Sequence, residues 1–184
     1  WVTDTRDPSR IRYDERLLGM AGLRRDQLPE LVRCQDVIGT LLPAVAERLG
    51  LSSSLPVVAG AVDNTAAALG SGAVADSALH LYVGTSSWIG AHVAKKKTDV
   101  FRQIADVPCA LPDRYLMMAM QSAAGANLSF LRDRILYAKD ALLQNEAGPD
   151  VYRILDEVAA GVPAGSRGLL YLPWLMGERS PVDD

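Results

Sequence analysis

Apolar and polar positions along the chain sort it into helical and extended stretches. Tyr13–Met20 has helical spacing, with Leu17, Leu18 and Met20 on its apolar side and Gly22 as its stop. Leu41–Leu49 reads as an amphipathic helix ended by Gly50. A short helix is predicted over Asn64–Leu69, with Asp63 as its N-cap. Further helices are predicted from Asn127 to about Tyr137, with Leu128, Leu131, Ile135 and Leu136 on one face, and over Asp150–Ala160, with Val151, Ile154, Leu155 and Val158 on one face. Gly161 and Pro163 end the last of these. Val37–Thr40 is a brief strand or an extended link, and Val57–Ala59 a short buried strand. From Leu79 the texture turns to strands: Leu79–Val83, Trp88–Val93, Tyr115–Gln121 and Leu169–Leu172. The first two flank Gly84–Ser87 and predict a hairpin.

Breaks in the pattern mark the organisation. Gly70, Gly72 and the pair Asp76-Ser77 interrupt it, and a domain boundary is expected near Gly72–Ala78. Asp4–Ser9, with Pro8, reads as a loop, Arg24–Glu30 as turn-rich and Leu51–Pro56 as a polar link. Lys95-Lys96-Lys97 reads as a solvated turn and Gly177–Pro181 as a polar one. There is no internal repeat.

Composition narrows the class. With 184 residues, 49% hydrophobic and 22% charged, the chain is expected to be soluble and globular, one ordinary domain or pieces of two. Its 22 acidic residues slightly outnumber its 19 basic ones, which leaves no electrostatic footprint for nucleic acid. No apolar run reaches the roughly 18 residues of a membrane helix, so no membrane partner is expected. The opening Trp-Val-Thr-Asp lacks the basic and apolar regions of a signal peptide, and Trp1 suggests a fragment or a processed start. Cys34 and Cys109 have no CxxC partner; two free thiols in a reducing, cytoplasmic compartment are expected.

Candidate chemistry concentrates between Leu55 and Trp88. Asp63 stands at the mouth of a helix, among Gly60 and alanines that leave a substrate room to approach. The positive helix end favours an ionised carboxylate, as a general base requires. A plain N-cap aspartate is the other reading. In the turn Gly84-Thr85-Ser86-Ser87, backbone N–H groups and hydroxyls make an anion-binding concavity, unless it is an ordinary hairpin turn. Gly125 opens the Asn127 helix, either against a nucleotide or for close packing on a sheet. Glu178 and Arg179 either touch substrate or are simply solvated. His80 and His92 lack metal-ligand spacing, and no metal ligands are assigned. Asn127-Leu128-Ser129 matches the glycosylation tripeptide, but nothing suggests secretion.

These signals share their order with the FGGY carbohydrate kinases. Val57-Val58-Ala59-Gly60-Ala61-Val62-Asp63-Asn64-Thr65-Ala66-Ala67 resembles that family's catalytic-aspartate segment. Leu81-Tyr82-Val83-Gly84-Thr85-Ser86-Ser87-Trp88 resembles its phosphate-binding hairpin. Ala124–Asp133 is similar to the helix whose start lies against ATP, and Tyr171–Pro181 to the segment after that domain's next strand. Trp1–Gly39, with Leu-Pro-Glu-Leu-Val and Ile-Gly-Thr, resembles the tail of the first domain. The resemblance covers nearly the whole chain, and four of its motifs keep the family's order.

The resemblance implies an α/β fold of actin-like ATPase domains with ribonuclease-H-like cores, incomplete in this chain. Residues 1–75 would close the N-terminal, sugar-binding domain, and 76–184 would open the C-terminal, ATP-binding domain. It implies a transferase that moves phosphate from ATP, with Mg²⁺, to a hydroxyl of a small sugar or polyol. Xylulose, giving xylulose 5-phosphate, is the expected substrate from the residues near Asp63; gluconate, glycerol and ribulose are alternatives. Asp63 would take the proton from the attacking hydroxyl. Gly84, Thr85 and Ser86 would hold the phosphate region, and Gly125 and Ser129 would lie against the nucleotide. Close relatives often carry glutamine where this chain has Ser129. The chain lacks the first domain's opening strands and the glycine-rich adenine-binding segment, so these 184 residues alone are expected not to turn over sugar. A homodimer is a further expectation. A non-catalytic nucleotide- or sugar-binding piece is the competing reading. Acetate kinases and chaperone ATPases fit less well, since they do not set an Asp-Asn-Thr helix mouth just ahead of a Gly-Thr-Ser hairpin.

Overall fold

Local signals in the sequence account for most of the elements. A computed structural model describes residues 2–137 and 150–181. Strands β1 (Thr3–Asp4) and β2 (Arg12–Tyr13) pair antiparallel within a stretch expected to begin as a loop. Helix α1 (Glu15–Ala21) starts where the Asp14 carboxylate accepts the Leu17 amide, and stops where Gly22 adopts a left-handed φ of 66°. Strand β3 (Val37–Thr40) pairs antiparallel with β4 (Pro56–Val58), one residue earlier than expected. Between them α2 (Pro43–Leu49) begins at proline, whose fixed φ suits the first helical position, and Gly50 ends it. Helix α3 (Asp63–Gly70) comes after β4 and a short link.

The remaining strands form one four-stranded sheet. It consists of β5 (Leu79–Val83), β6 (Ser87–Val93), β7 (Ala105–Pro108) and β8 (Tyr115–Gln121), in the order β5-β6-β8-β7. β5 and β6 are neighbours across the Gly84–Ser86 turn, as expected, whereas β7 is a strand that the apolar pattern does not signal. Helix α4 (Gly125–Phe130) gives way to a π-helical turn over Leu131–Leu136, so the single helix expected from Asn127 is two pieces. Helix α5 (Val151–Ala160) matches its expected span closely.

Two expectations need correction. Leu169–Leu172 pairs with no strand among the described residues, and Leu170 is 87% exposed. The segment has the composition of a strand but no ladder partner in the described chain, and strand character needs one. Asp63 is the first residue of α3 and not its cap; the capping position is Val62, at φ −67° and ψ 156°.

The chain forms two compact units. The first comprises the residues up to His80 with Ile89–Val100 and Ile104–Met118. Its core contains Leu18, Ala46, Ala68, Val93 and Leu116, together with the buried polar side chains of Thr65 and His92. Buried Tyr115 sends its hydroxyl to the carbonyls of Thr5 and Arg6, at 2.9 and 2.8 Å. The second unit comprises Leu81–Trp88, Phe101–Gln103 and the residues from Ala119 onward. Trp88, Ala123, Val151 and Glu178 are buried there. The predicted apolar faces of α4 and α5 remain largely exposed, Leu128, Ile154 and Val158 among them.

Candidate active site

Asp63 lies in the first unit, at the end of a well-anchored approach. The β3–β4 ladder continues through the amides of Ala59 and Gly60, which donate to the carbonyls of Asp36 and Cys34 at 3.0 and 2.9 Å. Gly60 then turns the chain at a φ of 81°, a conformation that suits glycine. Beyond Ala61 and Val62, α3 begins. The Thr65 side chain is buried and donates its hydroxyl to the Val62 carbonyl at 3.1 Å. Asn64 accepts the Thr65 amide at 2.7 Å and sends its amide nitrogen toward Met118 Sδ at 3.6 Å. Among the described residues the Asp63 carboxylate accepts only its neighbour's amide, Asn64 N at 2.7 Å. It is exposed, and no cation pairs with it among the described residues. An exposed carboxylate fixed on one side by a backbone N–H keeps lone pairs free to accept a proton.

The other predicted site residues, Gly84, Thr85, Ser86, Gly125 and Ser129, fall in the second unit. Four of them meet. The turn closes on itself through the Gly84 amide, which donates to the Ser86 carbonyl at 2.8 Å. The amides of Ala124 and Ala126 donate to the Thr85 carbonyl at 2.9 and 3.2 Å, and the Gly125 amide donates to the Gly84 carbonyl at 2.8 Å. A methyl group on Gly125 would stand 2.7 Å from the Gly84 carbonyl oxygen, a backbone atom that cannot swing aside. Gly84 is needed for a different neighbour, since a side chain there would run into the Tyr82 ring. That ring stacks on Trp88 with centroids 5.8 Å apart.

The carbonyls of the turn are thus committed, as is the Gly84 amide, whereas the amides of Thr85 and Ser86 are not. Among the described residues, no acceptor receives the amides of Thr85 and Ser86. Two successive N–H groups left open in a tight turn form a nest for an anion such as a phosphate oxygen. The two hydroxyls add donors of the same kind. Ser87 is not part of this surface. It is buried and donates to Gln121 Oε1 at 2.9 Å, so it locks the turn and does not present a hydroxyl. Ser129 stands further along α4, its hydroxyl 3.3 Å from the Tyr152 hydroxyl.

Glu178 is the residue whose setting the sequence conceals. A solvated turn does not describe it: it is 2% exposed and accepts backbone amides from Ser122 and Arg179. Its partner Ser122 lies 56 residues away, and no local pattern reports such a contact. A cavity of about 400 Å³ in the first unit, lined by residues such as Arg10, Ile11, Cys34, Cys109 and Arg114, contains none of the predicted site residues. Both cysteines are free thiols, and burial pushes the Cys109 thiol above its usual range. Among the described residues no group of three or more His, Cys, Asp or Glu could hold a metal ion. No helix among them is long and apolar enough to cross a membrane.

Residues 5–70 match the FGGY family of carbohydrate kinases, N-terminal domain. The chain is 31% identical over 176 residues to a xylulose kinase of Bacillus subtilis, covering 96% of this chain and 33% of that protein. The chain belongs to the FGGY family of carbohydrate kinases. A gluconokinase of the same bacterium is 30% identical over 173 residues, covering 94% of this chain and 33% of the relative. The crystal structure of xylulose kinase from Rhodospirillum rubrum superposes with a TM-score of 0.72 at 30% identity, over 92% of this chain and 33% of that one. The α/β elements of this chain are therefore part of the actin-like FGGY kinase fold. The chain spans about a third of the length of the FGGY relatives it matches.

Proposed function

We propose that the protein carrying this chain transfers phosphate from ATP to a hydroxyl of a small sugar or polyol. Xylulose, giving xylulose 5-phosphate, is the first candidate acceptor; gluconate, glycerol and ribulose are the next. The observation that carries the reading is the pair of open amides at Thr85 and Ser86, in a turn whose carbonyls are all engaged. Phosphoryl transfer asks little covalent chemistry of a protein. It asks for alignment and for donors placed where negative charge gathers.

The chain's own residues divide that work. Asp63 accepts the proton of the attacking hydroxyl, which makes the oxygen a better nucleophile as it reaches phosphorus. Thr85 and Ser86 hold the transferring phosphoryl region with amide and hydroxyl donors, on the turn that Gly84 closes through its own amide. Gly125, which has no side chain to fill the space beside Gly84, lies against the nucleotide, with Ser129 further along the same helix. ATP supplies the phosphoryl group. Mg²⁺ is commonly held by phosphate oxygens and few protein carboxylates, and in this reading it enters with the nucleotide.

The family match ends at Gly70, and we place the junction of the sugar-binding and ATP-binding halves at residues 75–76. Dependence on ATP sets the enzyme in the cytoplasm, which suits the free thiols of Cys34 and Cys109. ADP release by the intact protein, measured across xylulose, gluconate, glycerol and ribulose, tests the proposal. Sugar-dependent release with at least one of them is expected. Nucleotide binding without release on any sugar would favour the non-catalytic binding reading.

A further inference from the structure

Charged side chains are rarely buried unless something specific holds them. Glu178 is such a case, and its partners are backbone. Oε1 accepts the Arg179 amide at 2.8 Å and the Ser122 amide at 3.0 Å, with Oε2 at 3.3 Å from the latter. No Lys, Arg or His side chain pairs with it among the described residues. Ser122 is the first residue past β8, where the ladder stops supplying acceptors. Hydrogen bonds from amides to a carboxylate are among the stronger ones, so this contact fixes where the chain leaves the sheet.

The segment after Ser122 connects that contact to the phosphate turn. Ala123 is buried, and the next three residues, Ala124, Gly125 and Ala126, donate their amides to the carbonyls of Gly84 and Thr85. Residues 122–126 therefore make a strap. Glu178 pins one end, and the other end holds the turn whose Thr85 and Ser86 amides stay open. At the far side of the turn, Gln121 grips the Ser87 hydroxyl from the last residue of β8.

We propose that Glu178 is a positioning residue for phosphoryl transfer: through Ser122 and the Ala124–Ala126 strap it fixes the Gly84–Ser86 turn in the form that receives the nucleotide's phosphates. The inference rests on the kinase function proposed for the intact protein. It requires the oxygen at the Oε1 position more than the charge, because every contact Glu178 makes among the described residues is an accepted backbone N–H. Catalytic donors gain most of their value from being held in place before the substrate arrives.

Two substitutions in the intact protein separate oxygen position from charge. Glu178→Gln keeps an acceptor at the same reach without the charge. Glu178→Asp keeps the charge and withdraws the acceptor by one methylene. Steady-state kinetics on the sugar that the wild type turns over should show KM for ATP raised about tenfold or more in E178D and only a few-fold in E178Q, with KM for the sugar unchanged in both. Amide hydrogen exchange at Ala124, Gly125 and Ala126 should speed up in E178D and stay near wild type in E178Q. If E178D is the milder variant in kinetics or exchange, or if the KM values for sugar and ATP rise together, the proposal is wrong. If the wild type phosphorylates no sugar, the kinase reading falls, and the exchange rates alone still decide whether Glu178 pins the strap.

Discussion

The amide of Gly125 donates to the carbonyl of Gly84 at 2.8 Å, and a Cβ on Gly125 would lie 2.7 Å from that same oxygen. One contact therefore demands both a hydrogen bond and the absence of a side chain. It joins the start of α4 to the turn that carries the two open amides. Of the two readings of Gly125 from sequence, this contact shows close packing, and in the proposed function the same packing serves nucleotide binding by holding the turn in shape.

Gly125→Ala should separate these roles in a measurable way. The methyl group has no room without moving backbone, and overpacking of this kind costs about 1–3 kcal/mol. Denaturant unfolding of the intact variant should show a loss of that size. KM for ATP should rise about tenfold or more, with KM for the sugar little changed.

Thr65 supports the proposed catalytic carboxylate from behind. Its buried hydroxyl donates to the carbonyl of Val62, the residue just before Asp63. Thr65→Val keeps the shape and removes the donor. The Val62 carbonyl still accepts the Ala66 amide at 3.0 Å, so the cost should stay near the ordinary net worth of a hydrogen bond, about 0.5–1.5 kcal/mol. Chemical denaturation measures the stability loss, and a fall in kcat larger than any change in KM for ATP would mark the effect on Asp63.

The thiol of Cys109 offers a test of the first unit that is independent of catalysis. Burial is the largest influence on it and disfavours the thiolate, which raises its pKa. Alkylation by iodoacetamide requires the thiolate, so its rate at Cys109 should climb at higher pH than for a small free thiol. The stability linkage has the matching sign. The folded state loses its advantage as pH rises through the raised folded value, and it is unaffected below the unfolded one. Peptide-resolved mass spectrometry across a pH series reads the rate, and a midpoint at or below that of the free thiol would contradict the burial.

Much of the fold is legible in the sequence because the deciding signals are local. Gly22 and Gly50 end α1 and α2 in left-handed conformations, as their position after an apolar-periodic run implies. β5 and β8 have the spans that their composition predicts. Sequence misleads where a distant partner decides. Leu169–Leu172 has strand composition but no neighbouring strand among the described residues, and sequence cannot report that vacancy in the ladder. Asp63 reads as a cap because a cap and a first-turn aspartate differ by one residue of helix, and the extended backbone of Val62 decides between them.

The candidate site is half legible for the same reason. Asp63 and the Gly84–Ser86 turn stand out as polar signals in small, apolar surroundings. That Ser87 is turned inward to Gln121, and that Glu178 holds Ser122, depends on side chains meeting across long stretches of chain. A buried glutamate flanked by glycine and arginine looks, in sequence, like any exposed turn.

Asp63→Asn bears most directly on the whole account. It keeps the shape of the side chain and the acceptor for the Asn64 amide, but it cannot take up a proton. Transfer of radiolabelled γ-phosphate from ATP to the sugar, monitored in the intact protein at saturating concentrations of both, should slow by about 10²- to 10⁴-fold, with nucleotide binding unchanged. Labelled sugar phosphate formed by the variant at the wild-type rate would show that Asp63 is not the base.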